Sequence, residues 1–168
     1  VFGELCSKAQ REVFIAGYSF TAGKLVLAPL HEAMVSRGVR ARIVLDCSQV
    51  DAEGDSEAVV LRTTVDEFWE KNWKSFGEPR PELFHDPLTC KRHWDKRRER
   101  WVAAHSMHAK CLVVDDSHAL VGSANFTRRA MQDNIEVGVV VHEHAFVRKL
   151  LGQWEDAISE QVIVAVTS

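Results

Sequence analysis

His108, Ala109 and Lys110 stand five residues before an aspartate, Asp115. After six intervening residues the chain reads Gly122-Ser123-Ala124-Asn125, and Asn134-Ile135-Glu136 follows. In a strand, His108 and Lys110 would share a face, as would Asn134 and Glu136. These residue types suit phosphodiester cleavage without a metal. A neutral imidazole can attack phosphorus and hold the phosphoryl group. The equatorial oxygens need a cation and donors as their charge redistributes. Lys110 supplies the charge; Ser123 and Asn125 supply neutral donors, with backbone N–H groups freed by Gly122. A carboxylate must set the histidine tautomer and stabilise the imidazolium, a task open to Glu136 or Asp115. A second acid must protonate the leaving oxygen.

The surrounding elements have to deliver these groups. Glu12 to Phe20 is an apolar, β-branched and aromatic run of strand length. Leu25 to Arg37 carries Leu25, Val26, Leu30, Ala33 and Met34 at helical spacing, closed by Gly38. Val39 to Asp46 forms a second strand, so the three elements read as a βαβ unit with parallel strands. A polar turn is expected over 51–55. Glu57 to Phe76 reads as a helix ended by Gly77, Pro79 and Pro81. His85 to Ala104 is expected to be a surface loop or short helix. Strands are expected over Ala109–Asp115, Ala119–Val121 and Asn134–His142. Glu143 to Gln161 closes the chain as an amphipathic helix. No repeat or linker interrupts this, so the expected fold is a single α/β domain over 1–168, a mixed, largely parallel β-sheet flanked by helices.

Bulk composition is consistent with that. The chain has 168 residues, 46% hydrophobic and 27% charged, with a net charge of -3. This is ordinary for a soluble globular domain and announces neither nucleic acid nor membrane. No apolar stretch is long enough to span a bilayer, and no stable membrane anchor is expected. Cys6, Cys47, Cys90 and Cys111 are far apart, without a C-x-x-C pair. Cys47 and Cys111 sit in or beside apolar runs, so both read as core thiols in a reducing, cytoplasmic compartment. Cys90 and His93 lack a four-ligand spacing, so neither metal nor cofactor is expected.

The combination H-x-K-x4-D, G-S-x-N and N-x-E resembles the signature of the phospholipase D superfamily, especially its small bacterial endonuclease branch. The AGYSFT segment around Tyr18 and the SRGVRARIVLD segment ending at Asp46 resemble the same branch. The resemblance implies a phospholipase D-like fold and a phosphodiesterase. His108 would form the phosphohistidine, Lys110, Ser123 and Asn125 would bind phosphate, and Glu136 would orient His108. It makes Asp115, carried with the catalytic set, more structural than catalytic. Relatives with two motifs pair them about a pseudo-two-fold axis. A chain with one motif is therefore expected to form a homodimer with a shared site. A looser resemblance to phospholipase D-like proteins of bacterial phage-defence systems implies possible defence-system partner proteins.

The run Lys91 to Trp101 reads either as a solvated loop or as a phosphate-backbone surface. In the second reading Arg92, Lys96, Arg97 and Arg98 contact nucleic acid, DNA or RNA, and Trp94 and Trp101 are available for base stacking. Histidines other than His108, including His31 and His85, default to surface or loop roles. A nuclease is the leading expectation. A lipid phosphodiesterase or transferase, and a nucleic-acid-binding subunit of a defence complex, are the alternatives.

Overall fold

A computed structural model describes residues 1–51 and 56–167. All of the expected polar turn except Asp51 lies outside the described residues. The chain begins with α1 (Phe2–Lys8) and β1 (Glu12–Gly17). Two short helices follow, α2 (Gly23–Val26) and α3 (Ala28–Arg37), and then β2 (Arg40–Leu45). Pro29 sits in the first turn of α3, where a missing N–H costs nothing, and Gly38 ends α3 at φ 68°. This break replaces the single helix expected from Leu25. Leu25 itself points outward at 51% exposure rather than joining the buried stripe of Leu30, Ala33 and Met34.

α4 (Glu57–Phe68) runs into a π-helical turn at Trp69–Trp73, and β3 (Glu82–His85) follows. The expected surface loop over 85–104 is largely ordered as secondary structure. A 3₁₀ turn at Pro87–Cys90 leads into a hairpin of β4 (Arg92–Asp95) and β5 (Arg100–Ala103). Asp95 closes the hairpin by accepting the Arg97 and Arg98 N–H groups, a local cap that periodicity does not reveal. β6 (Lys110–Val114), β7 (His118–Gly122), α5 (Arg128–Gln132), β8 (Gly138–Val141), α6 (His144–Ser159) and β9 (Val164–Ala165) complete the chain. His85 is buried on β3, not on the surface, and burial lowers its pKa below the usual histidine value.

The seven strands order as β8-β7-β6-β1-β2-β3-β9. The sheet is mixed. β1, β2 and β3 pair in parallel at its centre, and β6, β7, β8 and β9 pair antiparallel outside them. Alternate residues feed two cores. Val13, Ile15, Leu112 and Val114 face α1 and α3, while Phe14, Ala16, Cys111 and Val113 face Val147 and Leu151 of α6. All four cysteines are buried free thiols. Among the described residues no helix is long and apolar enough to cross a membrane.

This order has one consequence for function. The C-terminal ends of β1, β2 and β7 and the N-terminal ends of β6 and β8 meet at one edge of the sheet. Gly17 pairs with Lys110, and Gly122 with Gly138. The glycines permit close approach there. A Cβ on Gly17 would come within 2.3 Å of the Phe20 ring, and one on Gly122 within 2.8 Å of the Val137 carbonyl.

Candidate active site

His108 is exposed just before β6 begins, and its backbone is held from three directions. The Met107 N–H donates to Asp46 Oδ1 at 2.7 Å, and the Tyr18 N–H donates to the Ala109 carbonyl at 3.0 Å. Lys110 Nζ donates to the His108 carbonyl at 3.1 Å. The Tyr18 ring lies 4.4 Å from the imidazole, centroid to centroid, and 4.6 Å from the Lys110 ammonium. The ring therefore forms a common wall for the imidazole and the ammonium.

Lys110 is 9% exposed, and burial lowers its pKa against the opposing pull of the Asp46 and Glu136 charges. In the folded state the charged form is disfavoured relative to the unfolded chain. Its contribution thus opposes folding below the folded-state pKa and fades as pH rises through it. Lys110→Met is accordingly expected to keep or raise the urea midpoint at neutral pH while lowering phosphodiester cleavage by at least ~10²-fold. A variant that unfolds more easily than wild type would contradict this account.

Glu136 stands across the same edge. Ser123 Oγ donates to Glu136 Oε2 at 2.5 Å and Asn134 Nδ2 to Oε1 at 3.0 Å. Those two bonds, with Lys110 nearby, hold the carboxyl below the usual glutamate range. Glu136 is thus grouped with Ser123, Asn134 and Lys110, and no hydrogen bond to the His108 ring is seen among the described residues. The Ser123 N–H donates to Val137 O at 2.9 Å, so it belongs to the β7–β8 ladder and is not freed by Gly122 as expected. Gly122 instead lets the two strands approach. Asn125 is half-buried, and its Oδ1 has no hydrogen-bond partner.

Asp115 does not join this group. It lies at the far end of β6, a separation of roughly 17 Å for five extended residues. Its carboxylate accepts the backbone N–H groups of Gln10, Arg11 and Glu12 at 2.6, 2.7 and 2.9 Å. It ties the start of β1 to the β6–β7 turn.

The basic hairpin does reach the site. A groove of about 520 Å³ runs from Tyr18 along Gln49, Arg92, Arg98, Arg100, Trp101 and His105. The residues expected to contact nucleic acid divide. Arg98 lines the groove, whereas Lys96, Arg97 and Trp94 lie outside its lining. Trp94 packs edge-on against Trp101, with centroids 5.8 Å apart. Arg92 lines the groove but donates to the carbonyls of Thr89, Cys47 and Val50, so its role is to anchor the hairpin to the end of β2. Arg100 was not singled out by the sequence reading. Its place at the end of the basic run from Lys91, beside Trp101, was the available signal. Asp46 was also passed over, although an aspartate closing a buried parallel strand marks the edge where such sheets place their sites. Among the described residues no three His, Cys, Asp or Glu side chains cluster to hold a metal ion.

The family model described as cardiolipin synthase, PLD-like domain, matches residues 4–157. The chain belongs to the phospholipase D-like family. Two solved structures of similar fold cover nearly all of it. NucT from Helicobacter pylori superposes with a TM-score of 0.65 at 18% identity, over 98% of this chain and 88% of that one. Nuc from Salmonella typhimurium, a phospholipase D family member, superposes with a TM-score of 0.61 at 21% identity, over 99% and 89%. Among curated relatives, cardiolipin synthase from Listeria monocytogenes is 42% identical over 57 residues, 34% of this chain. The phospholipase D-like chain spans only 11% of that enzyme's length, and 27% of a Helicobacter pylori relative that is 23% identical over 152 residues.

Proposed function

We propose that this chain is a metal-independent phosphodiesterase that cleaves nucleic-acid phosphodiester bonds through a phosphohistidine at His108. A second copy of the chain completes the site. An imidazole nitrogen of His108 attacks phosphorus, forming the P–N bond as the P–O bond to the leaving oxygen breaks. The second copy's histidine donates the proton to that oxygen. It then takes a proton from water, which attacks phosphorus and releases His108. Lys110 and Asn125 carry the charge on the equatorial oxygens, and Ser123, whose hydroxyl donates to Glu136 in the free chain, joins them by turning that hydroxyl to phosphate.

The observation that carries the nucleic-acid reading is the groove of Arg98, Arg100 and Trp101 that ends at Tyr18, against His108. Guanidinium groups match a phosphate backbone, and the face of the half-buried Trp101 indole suits an unstacked base. The dimer is supported by β8, an edge strand without a second neighbour among the described residues. Val139 within it is 60% exposed, Val137 just before it is 74% exposed, and Ile135 is fully exposed. Such an edge, adjoining Glu136, suits self-association.

A lipid phosphodiester is the second reading. It is favoured by an apolar groove of about 300 Å³ lined by Phe2, Leu120, Phe126, Met131 and Val137, which reaches Lys110 and Glu136. One experiment separates the two. Labelled single- and double-stranded DNA and RNA, and phosphatidylglycerol vesicles, are incubated with the protein in excess EDTA. Cleavage of a nucleic acid, with affinity and salt slope reduced by Arg98→Glu and Arg100→Glu, is the expected outcome. Turnover of the vesicles alone would transfer the site to lipids.

A further inference from the structure

Resting on the phosphodiesterase reading, we infer that Tyr18 and Asp46 are positioning residues that clamp the segment carrying His108. His108 lies outside the strand, so the β-ladder does not hold it. Asp46 closes β2 and is 6% exposed. Its Oδ1 accepts the Met107 N–H, and its Oδ2 accepts from Ser48 N at 3.0 Å and from the Ser48 hydroxyl. The carboxylate is thus a buried tether between the end of β2 and the residue just before the nucleophile. Burial raises its pKa, against those hydrogen bonds and the Arg92 charge.

Tyr18 acts from the other side. Its N–H fixes Ala109, and its ring packs on both the imidazole and the Lys110 ammonium. The ring is supported in turn. Gln49 donates to the Tyr18 hydroxyl, and the next residues are pinned by Phe126 N–H to Ser19 O and Thr21 N–H to Phe126 O, each 3.0 Å. Phe20 stacks on Phe126 with centroids 5.1 Å apart. A nucleophile displaced by about 1 Å loses ~10²-fold in rate, so a clamp of this kind acts on kcat rather than on substrate affinity. Tyr18 also lines a smaller cavity of about 160 Å³, shared with Asp46 and Phe68. Removing the ring takes away the wall against which the imidazole packs.

The test uses the full chain, bis(p-nitrophenyl) phosphate as a probe that does not depend on the basic groove, and the ring resonances of labelled His108. Tyr18→Leu and Asp46→Ala are expected to lower kcat ~10²-fold with KM within about threefold of wild type. Tyr18→Phe keeps the ring, and Asp46→Asn keeps an acceptor for Met107. Both should restore kcat to within about tenfold. The His108 resonances should shift in Tyr18→Leu, where the neighbouring ring current is lost, and return in Tyr18→Phe. Wild-type kcat and unshifted His108 resonances in folded Tyr18→Leu and Asp46→Ala would overturn the clamp. So would an Asp46→Asn variant as slow as Asp46→Ala, which would show that an acceptor for the Met107 N–H does not hold the segment. A wild-type chain that shows the resonance pattern but cleaves no phosphodiester would instead overturn the phosphodiesterase reading and leave the clamp standing.

Discussion

His108→Asn is expected to abolish phosphodiester cleavage, by at least ~10⁴-fold, without changing the fold. His108 is exposed, and no side-chain hydrogen bond to its ring is seen among the described residues, so the substitution removes little that the structure relies on. Asparagine cannot form the covalent intermediate, and in the proposed homodimer it would remove the leaving-group acid as well. Mixing sharpens the test. If each site needs one histidine to attack and the other to protonate, a dimer with a single wild-type subunit is inactive. After subunit exchange at equal amounts, activity should then fall to about a quarter of the all-wild-type value rather than to about half. A linear fall would show that each chain works alone, and residual cleavage by the pure variant would move the nucleophile elsewhere.

Asp115→Ala should have the largest effect on stability. One carboxylate accepts three backbone N–H groups at 2.6 to 2.9 Å. Gln10 and Arg11 are exposed, so water replaces part of what is lost, and the net cost is about 2–4 kcal/mol. Backbone conformation adds to it. Asp115 and Asp116 have φ of 52° and 53°, a left-handed turn that aspartate tolerates better than alanine. Urea denaturation at fixed protein concentration should show the loss, while kcat of the folded variant stays near wild type. Unchanged stability with lost kcat would return Asp115 to the reaction. The two ends of one short motif thus have different tasks, and β6 is the rigid spacer between them.

The same residues show how far the amino-acid order alone reaches. The strands around Val13–Gly17, Arg40–Leu45 and Lys110–Val114 were legible because burial imposes a local apolar run that needs no knowledge of the partner. The C-terminal helix was legible from its four-residue spacing, and His108, Lys110, Ser123, Asn125 and Glu136 from their types and intervals. β3, β9 and the β4–β5 hairpin were not. β3 and β9 are short segments stabilised by strands distant in sequence, and the hairpin is closed by the Asp95 cap.

Only the tertiary structure decided which of two similar arginines faces the groove and which is spent on main-chain carbonyls. Only it showed that Asp115 ties the start of β1 to the β6–β7 turn. It also brought Tyr18 and Asp46, about 90 and 60 residues upstream, against the His108 segment. Strand order and direction determine which chain ends meet, and those depend on pairings across the whole sheet. Local periodicity carries no record of them, so the sequence by itself determined which groups were available for chemistry, and the sheet's topology determined which of them stand together.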